Sequence, residues 1–374
     1  MRLVELRWRP YAVPFAAEFA TAQGGWRVRE GAIVRLVTDS GVTGFGEIAP
    51  LPSHGTMASA ELLSMLEGIA PHLIGHDVDT LAARVDDLLG EGVACVPLRC
   101  GIEVAALDAT ARAAGVSAAT MLSLRVVRDV RVNAVVDAAA CVDAVEAARR
   151  AVTRGFGDIK LKVGVAASAD SEVARVAAVR HAVGPDIRLR LDANGAWTEA
   201  RAIEVLRALE PHAIELVEQP VAAGDVASLA RVRVAVRTPI AADEGVTGGG
   251  AVRDLIDARA VDAIVVKLPV AGGPRRALEM MRLAERAGVG VIVTSALDTG
   301  IGVAAALQLA TTLAQPARAC GLATLDLLEE DFIVEALRIS NGHMAVPNAL
   351  GIGVTLDESA LARHAAGPER VVRA

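Results

Sequence analysis

The strongest constraint on the fold is a repeat that fills residues 130 to 322 of this 374-residue chain. Short runs rich in β-branched residues alternate there with Ala-, Arg- and Glu-rich stretches of helical periodicity, at a spacing of roughly 25 to 30 residues. The predicted strands are residues 130–136, 158–163, 188–192, 214–218, 239–243, 263–267, 289–294 and 319–322. Eight βα units within about 200 residues favour a closed (β/α)8 barrel over an open doubly wound sheet.

The residues on either side of the repeat predict a second, smaller unit. Two runs near the start alternate apolar and polar residues, and the second run ends at the turn sequence Asp39-Ser40-Gly41. From Ala58 to Ala119 the apolar residues recur every three or four positions, which indicates packed helices. We therefore predict an α+β domain at 1–125, a barrel domain at 126–330 and a C-terminal segment at 331–374 that returns to the first domain.

The composition narrows the classes of partner. Acidic residues (45) outnumber Lys and Arg (38), and the net charge of −7 argues against nucleic acid or an anionic membrane as the main partner. No apolar stretch approaches the ~18 residues that a membrane span needs. The first ten residues carry charges with no apolar run behind them, so we expect a cytoplasmic protein without a secretory signal. The sequence leaves open whether the chain forms a homo-oligomer.

Charged residues end five successive predicted strands, and they are Lys160, Lys162, Asp192, Glu218, Asp243 and Lys267. The C-terminal rim of a barrel is where active sites form, because the loops open there while the interior stays packed. Three acids that converge on this rim would repel one another, and a hard cation such as Mg²⁺, which prefers oxygen ligands, would relieve that repulsion. The competing interpretation is that each acid caps the helix that follows it. Thiolate or imidazole sites are disfavoured because no histidine lies at a strand end.

Lysine is scarce in this chain. Of the 38 basic residues only Lys160, Lys162 and Lys267 are lysines, and the other 35 are arginines. Arginine stays protonated at any accessible pH, whereas a buried lysine beside a cation can accept a proton. The first two lie two residues apart on one strand, so one is expected to be the base and the other its electrostatic support. The alternative is that these three residues are solvated surface lysines. A chain that uses lysine on its surface should, however, contain more than three.

The two lysine-bearing strands lie across the predicted barrel from one another. Lys162 and Lys267 should therefore flank a bound substrate on opposite faces. The chemistry that this arrangement predicts is removal of a proton next to a carboxylate, with a cation stabilising the negative charge that develops. The predicted partner is thus a small-molecule carboxylate.

Several ordered motifs carry a family resemblance, namely Lys160-Leu161-Lys162, Asp192-Ala193-Asn194, Val217-Glu218-Gln219-Pro220, Asp243-Glu244 and Val266-Lys267, with Gly44-Phe45-Gly46-Glu47 and Pro50-Leu51-Pro52 before the barrel. Together they resemble the enolase superfamily, muconate-lactonizing subgroup, over nearly the whole chain. The resemblance implies Asp192, Glu218 and Asp243 as Mg²⁺ ligands, Lys162 as acid and base, and Lys267 as the opposing lysine. It also implies a modified TIM barrel whose first domain caps the site. A mandelate-racemase type would carry a histidine on the seventh strand, where this chain has Thr294-Ser295-Ala296.

Within the subgroup, the ends of the last two strands resemble those of o-succinylbenzoate synthases, the dehydratases of menaquinone synthesis. The similar stretches are Thr294-Ser295-Ala296-Leu297-Asp298-Thr299 and Gly321-Leu322-Ala323-Thr324-Leu325. Dipeptide epimerases would show an Asp-x-Asp pair near the eighth strand, where only Asp326 is found. The alternatives are an isomerase of the subgroup, meaning an N-acylamino-acid racemase, dipeptide epimerase or cycloisomerase, and a catalytically silent barrel, which the complete lysine and carboxylate set disfavours.

Five further residues are candidates for substrate contact. Paired glycines and polar neighbours suggest that the segment from Phe19 through Trp26 to Arg29 is a mobile lid that meets substrate. Asn194 follows the first metal-ligand motif, and Ser295 could donate a hydrogen bond to a second substrate carboxylate. The competing roles are core packing for the aromatic residues and helix capping for Ser295.

Overall fold

The computed structural model describes residues 1–21, 24–90, 92–123, 127–314 and 317–374. It does not describe the side chains of residues 18–24.

The N-terminal domain is built on a four-stranded antiparallel sheet. The strands are β1 (Leu3–Thr21), β2 (Gly24–Thr38), β3 (Thr43–Ile48) and β14 (Arg370–Arg373), in the order β14-β1-β2-β3. The end of the chain thus pairs with its first strand, with Arg7 opposite Val371.

Four helices follow the sheet, α1 (Ser59–Ile69), α2 (Leu81–Leu89), α3 (Val96–Ala113) and α4 (Ala118–Leu122). Helix α3 lies directly against β3, and the glycines of the Gly44-Phe45-Gly46-Glu47 motif allow that approach. A Cβ atom at Gly46 would overlap the carbonyl oxygen of Gly101, and one at Gly44 would overlap that of Ala105. Backbone packs against backbone here, so no side chain can be inserted without separating the helix from the sheet.

The repeat forms a parallel barrel sheet. Its strands within the described residues are β5 (Ala134–Val136), β6 (Asp158–Lys162), β7 (Arg188–Asp192), β8 (Ile214–Glu218), β9 (Ile240–Ala242), β10 (Ala263–Lys267) and β11 (Gly290–Thr294). The surrounding helices are α5 (Cys141–Thr153), α6 (Ala169–Val183), α7 (Glu199–Leu209), α8 (Val226–Ala235), α9 (Gly249–Asp257), α10 (Leu268–Ala271), α11 (Pro274–Arg286) and α12 (Gly300–Ala310). The predicted fold class, a (β/α)8-type barrel with an α+β capping domain, is confirmed.

The predicted eighth strand, residues 319–322, is reduced to isolated bridges that still close the ring. Cys320 exchanges backbone hydrogen bonds with Arg131 and Asn133 on one side, and Gly321 with Val293 and Ser295 on the other. Inside the barrel, the buried Arg190 donates to the carbonyl oxygen of this segment at Ala319 (2.7 Å) and to Glu215 (2.7 Å). Side-chain hydrogen bonding thus supports the place where strand pairing is shortest.

The C-terminal segment contains short elements, β12 (Ile339–Ser340), β13 (His343–Ala345) and α13 (Glu358–Arg363). Strands β12 and β13 form a small antiparallel sheet with β4 (Asp129–Arg131), so the predicted first barrel strand is split at Val132 and Asn133. Across the described ranges, no helix is both long and apolar enough to cross a membrane.

One buried carboxylate joins the two domains. Glu47 at the end of β3 accepts hydrogen bonds from the Tyr11 hydroxyl, from the backbone and hydroxyl of Thr299, and from the backbone N–H of Gly302. Three of these four donors belong to Thr299 and Gly302 at the N-terminus of α12, where the helix dipole favours a negative charge. The contact fixes the capping domain beside the loop that follows β11.

We predict that Gly46→Ala lowers the free energy of unfolding by about 3 kcal/mol, because the added methyl group must push β3 away from α3. Urea denaturation measures the change. The matched control is Gly68→Ala on α1, where open space surrounds the Cα atom and the substitution should add about 0.5–1 kcal/mol of stability. Equal stability of the two variants would contradict the proposed close packing.

Candidate active site

Strand register places the charged residues in one row at the C-terminal end of the barrel. In the parallel sheet Lys162 pairs with Asp192, and Asp192 pairs with Glu218. Side chains at paired positions of parallel strands point to the same face, here the barrel interior. All three are buried, with at most 7% of the residue surface exposed. Charged residues on successive strands of the sequence therefore lie next to one another in space.

Two lysines share the carboxylate of Asp192. Its Oδ2 atom lies 2.6 Å from Lys162 Nζ and 3.1 Å from Lys160 Nζ, and Lys160 also donates to Glu218 Oε1 at 3.0 Å. Burial alone would raise the pKa of Asp192, but Lys162 and Lys160 outweigh it and hold that pKa below its usual value. Burial likewise opposes the charged form of Lys160, but Glu218 and Asp192 raise the pKa of Lys160 above its usual range. Lys160 is thus kept as a cation.

The contact with Lys160 does not offset the burial of Glu218. Burial, with the nearby charge of Asp192, raises the pKa of Glu218 to about 8. Glu244 is similar, since burial and the adjacent Asp243 raise its pKa to about 7, and its Oε2 atom is buried without a hydrogen-bond partner among the described residues. The rim thus holds four acids against three lysines. A divalent cation would relieve this excess of negative charge, so the donor set fits a hard metal ion.

Lys267 lies at the end of β10 and contacts Asp243 and a histidine. Its Nζ atom forms an ion pair with Asp243 Oδ1 and lies 3.0 Å from Nε2 of His54. His54 comes from the capping domain, within the 3-10 turn Pro52–His54, and its Nε2 is 3.3 Å from Asp243. His54, Asp243 and Glu244 also form a three-residue group whose ligand atoms lie within 4.8 Å of one another. The sequence pattern did not indicate His54, because this residue lies in a turn of the capping domain and not at the end of a barrel strand.

The residues that follow the proposed metal ligands adopt left-handed backbone conformations. Asn194 has φ of 44° and Gln219 has φ of 40°, a region that non-glycine residues rarely occupy and that is often found at functional sites. Asn194 accepts a hydrogen bond from Lys162 (2.9 Å) and donates one to Glu244 (2.9 Å). Gln219 accepts from the backbone N–H of Asp243 at 3.0 Å. The two amides thus link the loops after β7, β8 and β9.

A cavity of about 490 Å³ opens above this row of charges, which suits a small ligand. It is lined by the three lysines, by Asp192, Asp243 and Glu244, and also by Trp26, Thr294, Ser295, Leu297, Thr324 and Leu327. Ser295 Oγ lies 2.7 Å from Thr324 Oγ1, and Thr294 Oγ1 is buried without a hydrogen-bond partner in the described chain. Ser295 does not cap α12, whose N-cap is Thr299. Besides charged groups, the cavity lining therefore presents hydroxyl groups and apolar surface.

The predicted lid is part of the β1–β2 hairpin, in which Phe19 pairs with Trp26. Residues 22 and 23 and the side chain of Phe19 lie outside the described structure. Trp26 is half-buried and packs on Leu51 beside the cavity. The β1–β2 hairpin therefore places Trp26 in the wall of the cavity.

Arg29 borders the cavity but is buried and bound to the protein. It donates to the carbonyl oxygens of Leu297 (2.9 Å) and Pro50 (2.7 Å), and its Nη2 is 4.0 Å from Asp298 Oδ1. Arg29 thus ties the loop after β11 to the loop after β3. Any contact that it makes with substrate adds to this structural function.

The environment of Asp298 predicts a pH-dependent stability. Burial and the nearby Glu47 raise the pKa of Asp298 from 3.8 to about 7. The folded protein therefore keeps a proton that the unfolded chain releases, so this stabilisation is present at low pH and is lost as the pH rises through 7. Asp298→Asn should remove this dependence, making the variant more stable relative to wild type at pH 8 than at pH 5 by urea denaturation. An identical difference at both pH values, as expected for the exposed control Asp326→Asn, would contradict it.

Comparisons with known proteins match both domains. Residues 4–123 match the family model of the mandelate racemase / muconate lactonizing enzyme N-terminal domain, and residues 143–360 match the enolase C-terminal domain-like model. An o-succinylbenzoate synthase from Thermobifida fusca is 43% identical over 222 residues, covering 59% of this chain and 68% of that protein. An L-Ala-D/L-Glu epimerase from Bacillus subtilis is 30% identical over 362 residues, covering 95% and 97% of the two chains.

A solved structure extends the match to three dimensions. The dipeptide epimerase from Cytophaga hutchinsonii, in complex with Mg and the dipeptide D-Ala-L-Val, superposes with a TM-score of 0.91 at 26% sequence identity and covers 100% of both chains. Family models, sequence relatives and fold agree over both domains. The chain therefore belongs to the enolase superfamily, in the family that includes mandelate racemase and muconate-lactonizing enzyme.

Proposed function

We propose that this enzyme is a Mg²⁺-dependent dehydratase, an o-succinylbenzoate synthase, which removes a proton α to a carboxylate and expels a hydroxyl group. The observation that carries the proposal is the buried pair of Lys162 and Asp192 in the wall of a cavity that hydroxyl groups also line. The 43% identical relative of that activity supports the choice. In the cell, the product would serve menaquinone synthesis.

We propose Asp192, Glu218 and Asp243 as the Mg²⁺ ligands, consistent with the excess of negative charge at the rim. When bound, the ion would stabilise negative charge on the substrate carboxylate and so make the adjacent carbon more acidic. The related epimerase crystallised with Mg supports this choice of metal.

Lys162 is the proposed acid and base. Its Nζ atom lines the cavity and is held by Asp192 and by Asn194. In the proposed reaction Lys162 takes the α-proton from a cyclohexadiene carboxylate and then gives this proton to the departing hydroxyl group. The hydroxyl group leaves as water and the ring becomes aromatic, so the enzyme needs no external oxidant or reductant.

The other two lysines act electrostatically in this scheme. Lys160 remains a cation beside Lys162. Lys267 lies on β10, across the barrel from β6, and would stabilise the developing negative charge and the ring from the opposite face. The cavity lies between them.

The cavity lining favours this function over dipeptide epimerisation. A dipeptide substrate brings a cationic amino group, which calls for a carboxylate partner. Asp326, the acid nearest in sequence to the predicted eighth strand, is exposed and paired with Arg154 on the surface. The hydroxyl groups of Thr294, Ser295 and Thr324 instead suit the succinyl carboxylate of the proposed substrate. We propose Ser295 as its donor.

An isomerase is the second candidate. Two lysines that border one cavity from opposite strands could remove and return a proton on opposite faces, as a racemase or epimerase requires. The epimerase relative, aligned over 95% of this chain, supports that alternative. The same base and metal ligands would serve both reactions, so the substrate has to be determined by experiment.

We predict that Lys162→Arg lowers kcat by about 100-fold or more, because arginine keeps the charge but cannot accept a proton near neutral pH. Steady-state kinetics with the cyclohexadiene carboxylate measure the loss. Arg150→Lys, at an exposed position of α5, is the matched control and should leave kcat unchanged. Turnover of Lys162→Arg close to wild type would exclude Lys162 as the base.

Removal of metal should abolish turnover. EDTA treatment is expected to stop the reaction, and MgCl₂ should restore the wild-type enzyme but not Asp192→Asn, which lacks one ligand charge. Circular dichroism before and after treatment checks that the fold persists. Turnover that continues in EDTA would contradict the Mg²⁺ proposal.

The substrate class is decided by incubating the enzyme in D₂O with two sets of substrates. We expect release of o-succinylbenzoate from the cyclohexadiene carboxylate, followed by its absorbance, to be far faster than α-deuterium exchange into N-acylamino acids or dipeptides, followed by NMR. Fast exchange confined to the amino-acid series would instead identify an isomerase.

A further inference from the structure

A loop of the capping domain delivers a histidine into the barrel. After β3 the chain crosses the rim of the barrel, where Leu51 packs against Val270 and Ala296. Arg29 holds the start of this loop through the carbonyl oxygen of Pro50 at 2.7 Å. The loop thereby brings His54 to the site, where only 7% of its surface remains exposed.

The contacts of His54 favour the tautomer with the proton on Nδ1, although Nε2 also lies 3.3 Å from Asp243 Oδ1. An ammonium group can only donate, so Nε2 of His54 accepts from Lys267 Nζ at 3.0 Å. The proton then resides on Nδ1, which lies 3.1 Å from Ser53 Oγ and donates to it. The imidazole is therefore oriented as an acceptor toward Lys267.

Lys267 contacts Asp243 and His54, and a bound metal ion would compete with Lys267 for Asp243. Asp243, which forms an ion pair with Lys267, is also a proposed Mg²⁺ ligand. Mg²⁺ prefers oxygen to imidazole nitrogen, so it would draw on Asp243 more than on His54. A lysine side chain is long and flexible, and its Nζ atom stays in one place only while an acceptor holds it. In the loaded enzyme that acceptor would be His54.

We propose that His54 is a positioning residue that holds Lys267 in the cavity, so that seating of the capping loop completes the active site. Its importance for turnover rests on the proposed function, in which Lys267 acts on the substrate. The position of Lys267 itself can be measured without any substrate.

The scarcity of lysine makes the test direct. With lysine labelled by ¹³C at Cε, the chain gives three lysine signals, which Lys→Arg variants assign. In the presence of saturating MgCl₂, His54→Ala should release Lys267, so that its two Hε protons become equivalent and its relaxation slows. The signals of Lys160 and Lys162 should remain unchanged. His54→Gln, whose amide oxygen can replace Nε2 as acceptor, should keep Lys267 immobile.

Kinetic measurements then test whether the position of Lys267 affects turnover. His54→Ala should lower kcat about 10- to 100-fold, as loss of an orienting partner commonly does, with KM changed by less than about threefold, and His54→Gln should recover most of kcat. His72→Ala, at an exposed position of the same domain, is the control and should match wild type.

A Lys267 side chain that stays equally immobile in His54→Ala would overturn the proposal, and so would an unchanged kcat. Failure of the proposed function is recognised separately. If the proposed function is wrong, the wild-type enzyme will bind no Mg²⁺ by calorimetry or will release no o-succinylbenzoate.

Discussion

The structure depends on the compensation of charges buried inside a barrel. Parallel pairing in register places Lys162, Asp192 and Glu218 side by side, away from water. Isolated charges in such a place are costly, so each must find an opposite charge or a cation. The lysines compensate part of the negative charge of the carboxylates. The raised pKa of Glu218 is consistent with negative charge that the lysines leave uncompensated. The charge that remains is the physical basis for the proposed metal dependence of the site.

The rest of the fold serves to hold this row in place. Below it, Arg190 ties the short closing segment to the barrel interior, while the other half of the interior is apolar, around Leu216 and Val265. Above it, the capping domain is anchored by Glu47 at the N-terminus of α12 and by Arg29 between two loops. These contacts are buried hydrogen bonds to backbone groups, and they position the loops that line the cavity.

Much of the barrel could be predicted because periodicity and strand ends are local properties of the chain. The strands that end at Asp192, Glu218 and Lys267 begin and end where the sequence pattern indicates. The closing segment did not form a regular strand, since it makes only a few bonds to each neighbour. The predicted lid is half of a hairpin, and Arg29 within it binds backbone carbonyl groups. Such roles depend on residues distant in sequence.

The sequence by itself determined the barrel and its charged strand ends, and it indicated the proposed class of chemistry. Three lysines in an arginine-rich chain, and acids at successive strand ends, can be recognised without coordinates because each residue type has its own acidity and ligand preference. Only the tertiary structure decided which groups meet across domains. His54 lies 213 residues before Lys267 and reaches it only because the capping loop packs on the barrel. No local pattern encodes that contact, since it arises from the packing of two separately patterned domains.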